Sequence, residues 1–506
     1  MEQFDSGIDG WLGAGVGGAT SEVSWDSEEQ LVWSIKTGAD QSASLFHPSP
    51  ELSNADGLTI RLTSTERRTM LVLALQESDE SVYCLILPLD KGVYAEYTIP
   101  YSAFGLHPES EDENGQLDID HLSNMILVDI SAAISTPNEN RVLIDEVALW
   151  KGAPDTRYFT SDESDPPSPA QEFRIGVDAN FIPQGEKAGH GFWVGDQRVD
   201  PLELFAANGA NSLRLRLWVG EEGESRLDYA TELAQRAQQA GLKPYLVLFL
   251  TEYWADVGKQ PAPSEWVALN LKERADVIRQ YSFDTAKHFL DQDITFDFYE
   301  IGNEIDYGIC GVFADLNHPR DVESLQKDIW PDEARLIQAA IEGIKRADTD
   351  AKILLHIASS GDPPLALAFF QTMVDFGVEY DYMGLSHYPT AFGLVAASRL
   401  QETLDRLTEE LGKPIFIAEA AYPAQTPWGG PFGGWRYALP GYTMTPEGQA
   451  RWVRDFLIGM RNRGDVLGVY VFSPDFWWSG ELWEPFALFD GEGQVRPGVA
   501  SFNTNK

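Results

Sequence analysis

Positive charge is scarce in this chain. Its 506 residues hold 37 Lys and Arg against 79 Asp and Glu, a formal net charge of −42. Phosphate backbones are gripped by basic patches, so nucleic acid is excluded as a partner. An anionic membrane surface and a polyanionic substrate are excluded on the same ground. The plain reading of the charge itself is solubility. Cysteine is nearly missing: Cys84 and Cys310 are the two, too few for a disulfide framework. They fall in segments assigned below to different domains, so no mutual bridge is expected. Runs of 18 apolar residues are absent, and with them transmembrane helices. The opening MEQFDSGIDGW lacks the basic and apolar regions of a signal peptide. A secreted protein whose signal is absent from this sequence is the expectation, with a cytoplasmic location as the alternative. No His/Cys cluster has zinc spacing. GAGVGG at 13–18 lacks a following Lys-Ser/Thr, so it is no phosphate loop. No metal and no cofactor are therefore expected in the site. A structural Ca²⁺ in the acidic loop 109–120 is left open, although EF-hand spacing is missing there. The oligomeric state is not legible.

What is plentiful is apolar material. Hydrophobic residues make up 43% and aromatics 12%, which supplies a large core and excludes wholesale disorder. Residues 1–153 read as short strands: LVWSIKT, LTIRLTS, MLVLALQ, YCLILPL, YAEYTIP and RVLIDEVALW, separated by Gly, Asn, Asp and Ser. That spacing predicts an all-β, jelly-roll-like sandwich. Pro, Ser and acidic residues dominate 154–172, which is linker chemistry. Over 173–506 the pattern alternates between strand and helix. Eight apolar strand candidates, each followed by a helix-forming stretch, predict parallel strands and a (β/α)8 TIM barrel.

Active sites of such barrels lie at the C-terminal strand ends. Strand 2 holds Arg214 and Arg216, and strand 3 leads to Trp254 and Asp256. Strand 4 ends in Gly302-Asn303-Glu304, and strand 6 in Ser386-His387-Tyr388. Strand 7 ends in Glu419, and strand 8 leads to Asp475, Trp477 and Trp478. The pair Glu304 and Glu419 is the main signal. Glycosidic cleavage needs one carboxylic acid and one carboxylate, and a gap of about 5–5.5 Å implies retention of configuration. An inward Arg is expected to orient a catalytic carboxylate. Asn303 is a candidate for the sugar 2-hydroxyl, and His387 for the nucleophile or the sugar. Trp254, Trp477 and Trp478 are candidate stacking platforms for a pyranose.

The strings GVD at 176–178, LRLRLW at 213–218, WADVGKQ at 254–260 and EIGNEI at 300–305 carry a resemblance. GLSHYP at 384–389, AEAAYP at 418–423, TPEGQ at 445–449 and ALFD at 487–490 extend it. Together they resemble glycoside hydrolase family 53, the endo-β-1,4-galactanases of clan A. The resemblance implies Glu304 as acid/base, Glu419 as nucleophile and a covalent glycosyl-enzyme. The front domain is similar to carbohydrate-binding modules, with Trp11, Trp25 and Trp33 as its aromatic candidates. Departures stand beside the matches. The family's strand-3 Asp and His are Val247 and Phe249 here, its SYYP tyrosine is His387, and its WEP is Phe472-Ser473-Pro474. Asp306-Tyr307-Gly308 replaces its Asn-Pro-Gly.

The leading expectation is a retaining hydrolase of β-linked galactan or a related neutral polysaccharide. An exo-β-galactosidase or β-glucanase of the same clan is the second, and a non-catalytic glycan-binding protein the third.

Overall fold

A computed structural model of the chain describes residues 2–3, 10–26, 30–38, 41–48, 51–89, 91–107, 109–112, 114–130, 139–151, 173–220, 223–315, 318–392, 395–439 and 441–504. The linker expected at 154–172 lies outside them. The chain divides into two compact units. One comprises Met1–Arg157 with Pro389–Ala396 and Gly434–Gly441; the other comprises Tyr158–Tyr388, Ala397–Gly433 and Tyr442–Lys506.

The first unit contains two antiparallel sheets of six strands each. Alternation builds them: Leu58, Ile60 and Leu62 are buried along Gly57–Ser64, as are Leu71, Leu73 and Leu75 along Thr69–Glu77. These residues share one core with Trp11, Trp33 and Leu127. All six strands read from the sequence are present. Strands at Leu12–Val16, Thr20–Trp25, Ser42–Pro48 and Leu122–Asp129 went unread. The first two are poor in β-branched residues because they pass close to each other. A Cβ on Gly13 or Gly15 would collide with the Ser21 or Ala19 carbonyl. Trp11 and Trp33 are core residues, and Trp25 packs half-buried against them. Near the acidic loop, the carboxylates of Glu77, Asp79 and Asp112 converge. Their oxygens accept from the chain's own donors, Ser81 Oγ, the Ser81 and Gln116 amides and Tyr83 OH.

In the second unit eight parallel strands close into a barrel. They are β1 (Arg174–Asp178), β2 (Ser212–Leu217), β3 (Lys243–Leu248), β4 (Tyr299–Ile301), β5 (Ile353–Ile357), β6 (Tyr382–His387), β7 (Ile415–Ala420) and β8 (Val466–Phe472). Helices α1 (Pro201–Ala207), α2 (Leu227–Gln239), α3 (Leu271–Asp291), α4 (Trp330–Ala347), α5 (Pro363–Asp375), α6 (Val395–Leu411) and α7 (Pro446–Arg463) connect them. Their ends follow local chemistry. Asp200 caps α1, Asn270 and Glu273 form a capping box on α3, and left-handed Gly464 stops α7. Among the described residues no helix is long and apolar enough to cross a membrane.

The barrel interior is layered. Tyr245, Phe298, Phe416 and Tyr470 form an aromatic floor, with Tyr245 and Phe298 stacked at 4.2 Å. Nearer the C-terminal ends stand Asp178, Arg214, Glu300, His356 and Ser386, on β1, β2, β4, β5 and β6, all buried, with Glu300 two residues beyond Phe298. Strand β7 departs from that count. Leu385 pairs with Ile417 but Ser386 pairs with Glu419, so one extra residue, Ala418, is inserted. Such a bulge re-aims the side chain that follows it. Glu419 thereby enters the charged layer three residues after Phe416.

The floor leaves no room beside Tyr470. A Cβ on Gly176 would overlap the Tyr470 ring. We expect Gly176→Ala to destabilise the barrel by about 1–3 kcal/mol, read as a lower midpoint in denaturant unfolding. An unchanged midpoint would show that the floor gives way freely.

Candidate active site

Glu304 sits on a constrained turn. Gly302 (φ 74°) and Glu304 (φ 49°) both occupy the left-handed region. For a glutamate this costs on the order of 1 kcal/mol or more and persists only where the surroundings hold it. The segment after β3 does so. Gln260 Nε2 donates to the Asn303 carbonyl at 2.7 Å, and Asn303 Nδ2 donates to the Ala255 carbonyl at 2.9 Å. Trp254 Nε1 donates to Asp256 at 2.8 Å, and the Gly258 amide donates to the same carboxylate at 2.7 Å. WADVGKQ is thus a brace for the turn that carries Glu304. On the far side the Ile305 amide reaches the His356 carbonyl at 2.9 Å.

Arg214 organises the other carboxylate. It is wholly buried and all five of its donors are used. Nη1 donates to Asp178 (2.6 Å) and Glu419 (2.8 Å). Nη2 donates to Glu300 (2.6 Å) and Asn303 (2.6 Å), and Nε donates to Glu300 (3.2 Å). Tyr388 OH donates to the second Glu419 oxygen at 2.5 Å. Arg216 pairs with Asp178 and donates to Ser473 at 2.8 Å. The rings of Phe181, Trp254 and Phe472 surround its guanidinium at 5.0, 5.0 and 4.8 Å.

These surroundings separate the two carboxyls. Burial, and then the Glu419 charge, push Glu304 well above the usual carboxylate range, and Asp306 and Asp256 add to the rise. Burial raises Glu419 as well, but the Arg214 guanidinium opposes it. Both are pushed toward the acid, but the push is stronger at Glu304, and only Glu419 has a cation opposing it; a glycosidase needs such a difference between its two carboxyls. Glu300, under the same guanidinium and beside His356, falls to about 2 despite its burial.

Glu304, Glu419, Asn303 and Tyr388 are brought together, with Trp254 and Asp256 half-buried alongside. Other sequence candidates take other places. Arg214 and Arg216, grouped with substrate-contacting residues, are buried and committed to protein partners, Arg214 to Glu419 as expected of an inward Arg. His387 is directed into the core, stacked on Phe456 (5.3 Å) and Trp452 (6.4 Å) of α7. Burial lowers it to about 3. Its expected hydrogen bond to the nucleophile is made by Tyr388, because successive residues at a strand end face opposite ways. Trp477 is buried, and Trp478 stacks on His190 at 5.0 Å, so both are packing residues of the strand-8 loop. Asp178, Glu300, His356, Ser386 and Gln260 were assigned no role from the sequence. The polar residues inside apolar strands, Glu300 in FYEIG and His356 in LLHIA, were their available signal.

The profile of glycosyl hydrolase family 53 matches residues 174–502. The chain belongs to this family. It is a glycoside hydrolase. Relatives agree in extent. An uncharacterised protein of Niallia circulans is 30% identical over 64% of this chain and 92% of its own length. The arabinogalactan endo-β-1,4-galactanase A of Emericella nidulans is 28% identical over 54% of this chain and 75% of its own. The GH53 catalytic domain of Ignisphaera aggregans has the same fold, with a TM-score of 0.58 at 24% identity, covering 67% of this chain and 98% of that one. Hydrolases of this family need no cofactor.

One further acid has a consequence for stability. Asp475, after β8, is wholly buried; one oxygen accepts from the Phe181 amide at 2.8 Å, and Oδ1 has no protein donor. Burial pushes it up to about 8. A carboxyl raised on folding stabilises fully below its unfolded value, near 4, and that contribution is lost as pH climbs toward 8. Asp475→Asn keeps an acceptor and cannot ionise. Its unfolding free energy relative to the parent should therefore be higher at pH 8 than at pH 5. The expected gain is about 1 kcal/mol or more, one pKa unit being worth about 1.4 kcal/mol. An equal difference at both pH values contradicts this account.

Proposed function

We propose that this family 53 enzyme hydrolyses β-1,4-linked galactan, or a closely related neutral β-glycan, with retention of configuration. Glu304 is the acid/base and Glu419 the nucleophile. The observation that carries this reading is the asymmetry of the pair. Glu419 is anchored by a cation and a phenol, while Glu304 meets like charges and one hydroxyl. A carboxylate held at one oxygen by Arg214 (2.8 Å) and at the other by Tyr388 (2.5 Å) is aligned for attack at an anomeric carbon. A buried carboxylic acid beside it has a proton to give the leaving oxygen. Galactan as substrate is supported by the activity named for the Emericella nidulans relative.

A second specificity within the same chemistry is favoured by Val247 and Phe249. Both are wholly buried and apolar, so that wall offers no side-chain hydrogen bond to a sugar hydroxyl. An exo-β-galactosidase or a β-glucanase would suit such a wall.

Hydrolysis of a panel of soluble galactans and β-glucans, with product sizing, separates these readings. On the preferred glycan Glu304→Gln should lower kcat by about 10²–10⁴-fold, and Glu419→Gln by at least as much. Proton NMR of the earliest product should show the β-anomer. An α-anomer appearing first overturns retention, and unchanged kcat in both variants overturns the assignment of the pair.

A further inference from the structure

A line of hydrogen bonds runs from Glu300 to Glu304. Glu300 Oε1 lies 2.9 Å from His356 Nδ1, His356 Nε2 lies 2.9 Å from Ser386 Oγ, and Ser386 Oγ lies 2.6 Å from Glu304 Oε1. Strands β4, β5 and β6 each supply one member, and the turn after β4 supplies the last. All four are buried, Glu304 the least so at 7% exposure.

Counting protons limits what this line can do. Glu300 accepts two bonds from Arg214 and is an anion. His356 Nδ1 is therefore a donor to it. Ser386 has one proton to give, which leaves two consistent arrangements. In the first, Glu304 is an acid that donates to Ser386 Oγ, and Ser386 donates to Nε2 of a neutral imidazole. In the second, Ser386 donates to the Glu304 carboxylate, and Nε2–H of an imidazolium donates to Ser386. The two hold the same number of protons. To pass between them the O–H bond of Glu304 breaks and Ser386 takes that proton. The Ser386 proton then forms the new N–H bond on His356. Acid becomes carboxylate as imidazole becomes imidazolium, and the charge of the line is unchanged.

We propose that Ser386 and His356 are positioning residues forming a proton relay to Glu304, with His356 as the alternative holder of the acid/base's proton. The inference rests on the acid/base reading of Glu304. The groups facing His356 suit the charge it takes on. Arg214 approaches Nδ1 from β2 at 3.4 Å. Against this one cation stand Glu300 on β4, Glu419 on β7 and Asp306 beyond β4, the last two also sensing the imidazole charge. Three carboxylates outweigh one guanidinium. The relay gives an acid that is shut away from bulk water a second place for its proton while it alternates between donor and acceptor.

Profiles of kcat/KM against pH on soluble galactan test this. Ser386→Ala removes the donor that favours the Glu304 carboxylate, so the basic limb should move up by about one pH unit. Ser386→Thr keeps the hydroxyl and should restore the parent limb. His356→Gln still donates to Ser386, which keeps the hydroxyl on the Glu304 carboxylate, and it offers no second place for the proton, so its limb should move down. Combined with Ser386→Ala, it should add no further movement, because the line is already cut. Unmoved limbs in both single variants, or shifts that add in the double variant, overturn the relay. Glu304→Ala with azide on an activated aryl galactoside keeps the two proposals apart. Rescue by azide with unmoved limbs sinks the relay alone, whereas failure of azide to rescue sinks the acid/base reading and the relay with it.

Discussion

A single guanidinium in the middle of the barrel holds the site together. Arg214 is surrounded by Asp178 of β1, Glu300 of β4, Asn303 just beyond β4 and Glu419 of β7. Ions of this kind lose several kcal/mol of hydration on burial. What offsets that cost is the number and geometry of its bonds. Five donors meet five acceptor contacts, in the forked arrangement that arginine provides and lysine does not. Removing either side leaves an uncompensated buried charge, which is far costlier than the net value of the pair. The charged layer is therefore held together as a unit, and the positions of Glu419 and Asn303 follow from it.

The same layer gives adjacent carboxylates different surroundings. Burial pushes every one of them toward the neutral form. Contact with Arg214 reverses this at Glu300 and opposes it at Glu419, whereas Glu304 receives only the Ser386 hydroxyl and the repulsion of its neighbours. Backbone geometry enforces the inequality. The left-handed turn at Gly302 and Glu304 carries the Glu304 carboxyl away from Arg214 toward Ser386, and the WADVGKQ segment maintains that turn.

Much of this was legible in the sequence, and the parts that were not share a cause. Strand–helix alternation gave the barrel, and carboxylates at strand ends gave Glu304 and Glu419. Side-chain direction was harder. A strict alternation along PIFIAEA puts Phe416 and Ala418 on one face and Glu419 on the other. Only the extra residue at Ala418 turns Glu419 inward, and a bulge has no signature in a run of apolar residues. The choice between His387 and Tyr388 failed for the same reason, since neighbours at a strand end differ only in which way they face. Strands Leu12–Val16 and Thr20–Trp25 were missed because glycine and serine serve their close approach, at the expense of strand propensity.

Family membership and local departures also fit one physical picture. Residues that fix the charged layer match the family strings: Asp178, Arg214, Arg216, Glu300, Asn303, Glu304, Ser386 and Glu419. Most departures fall one step outside it, at Val247, Phe249, His387 and Phe472, while Ser473 lies within it and accepts from Arg216. Of these, Phe249 and Phe472 pack with Trp254, and Phe472 and Trp254 close around Arg216. An apolar surround strengthens the Arg216–Asp178 pair by lowering the local dielectric, and so stiffens one of the anchors of Arg214. This packing holds the charged layer in place and leaves Val247 and Phe249 as a wall without a side-chain hydrogen bond. The charged layer and its apolar surround are thus distinct parts of the same barrel, and the departures concentrate in the second.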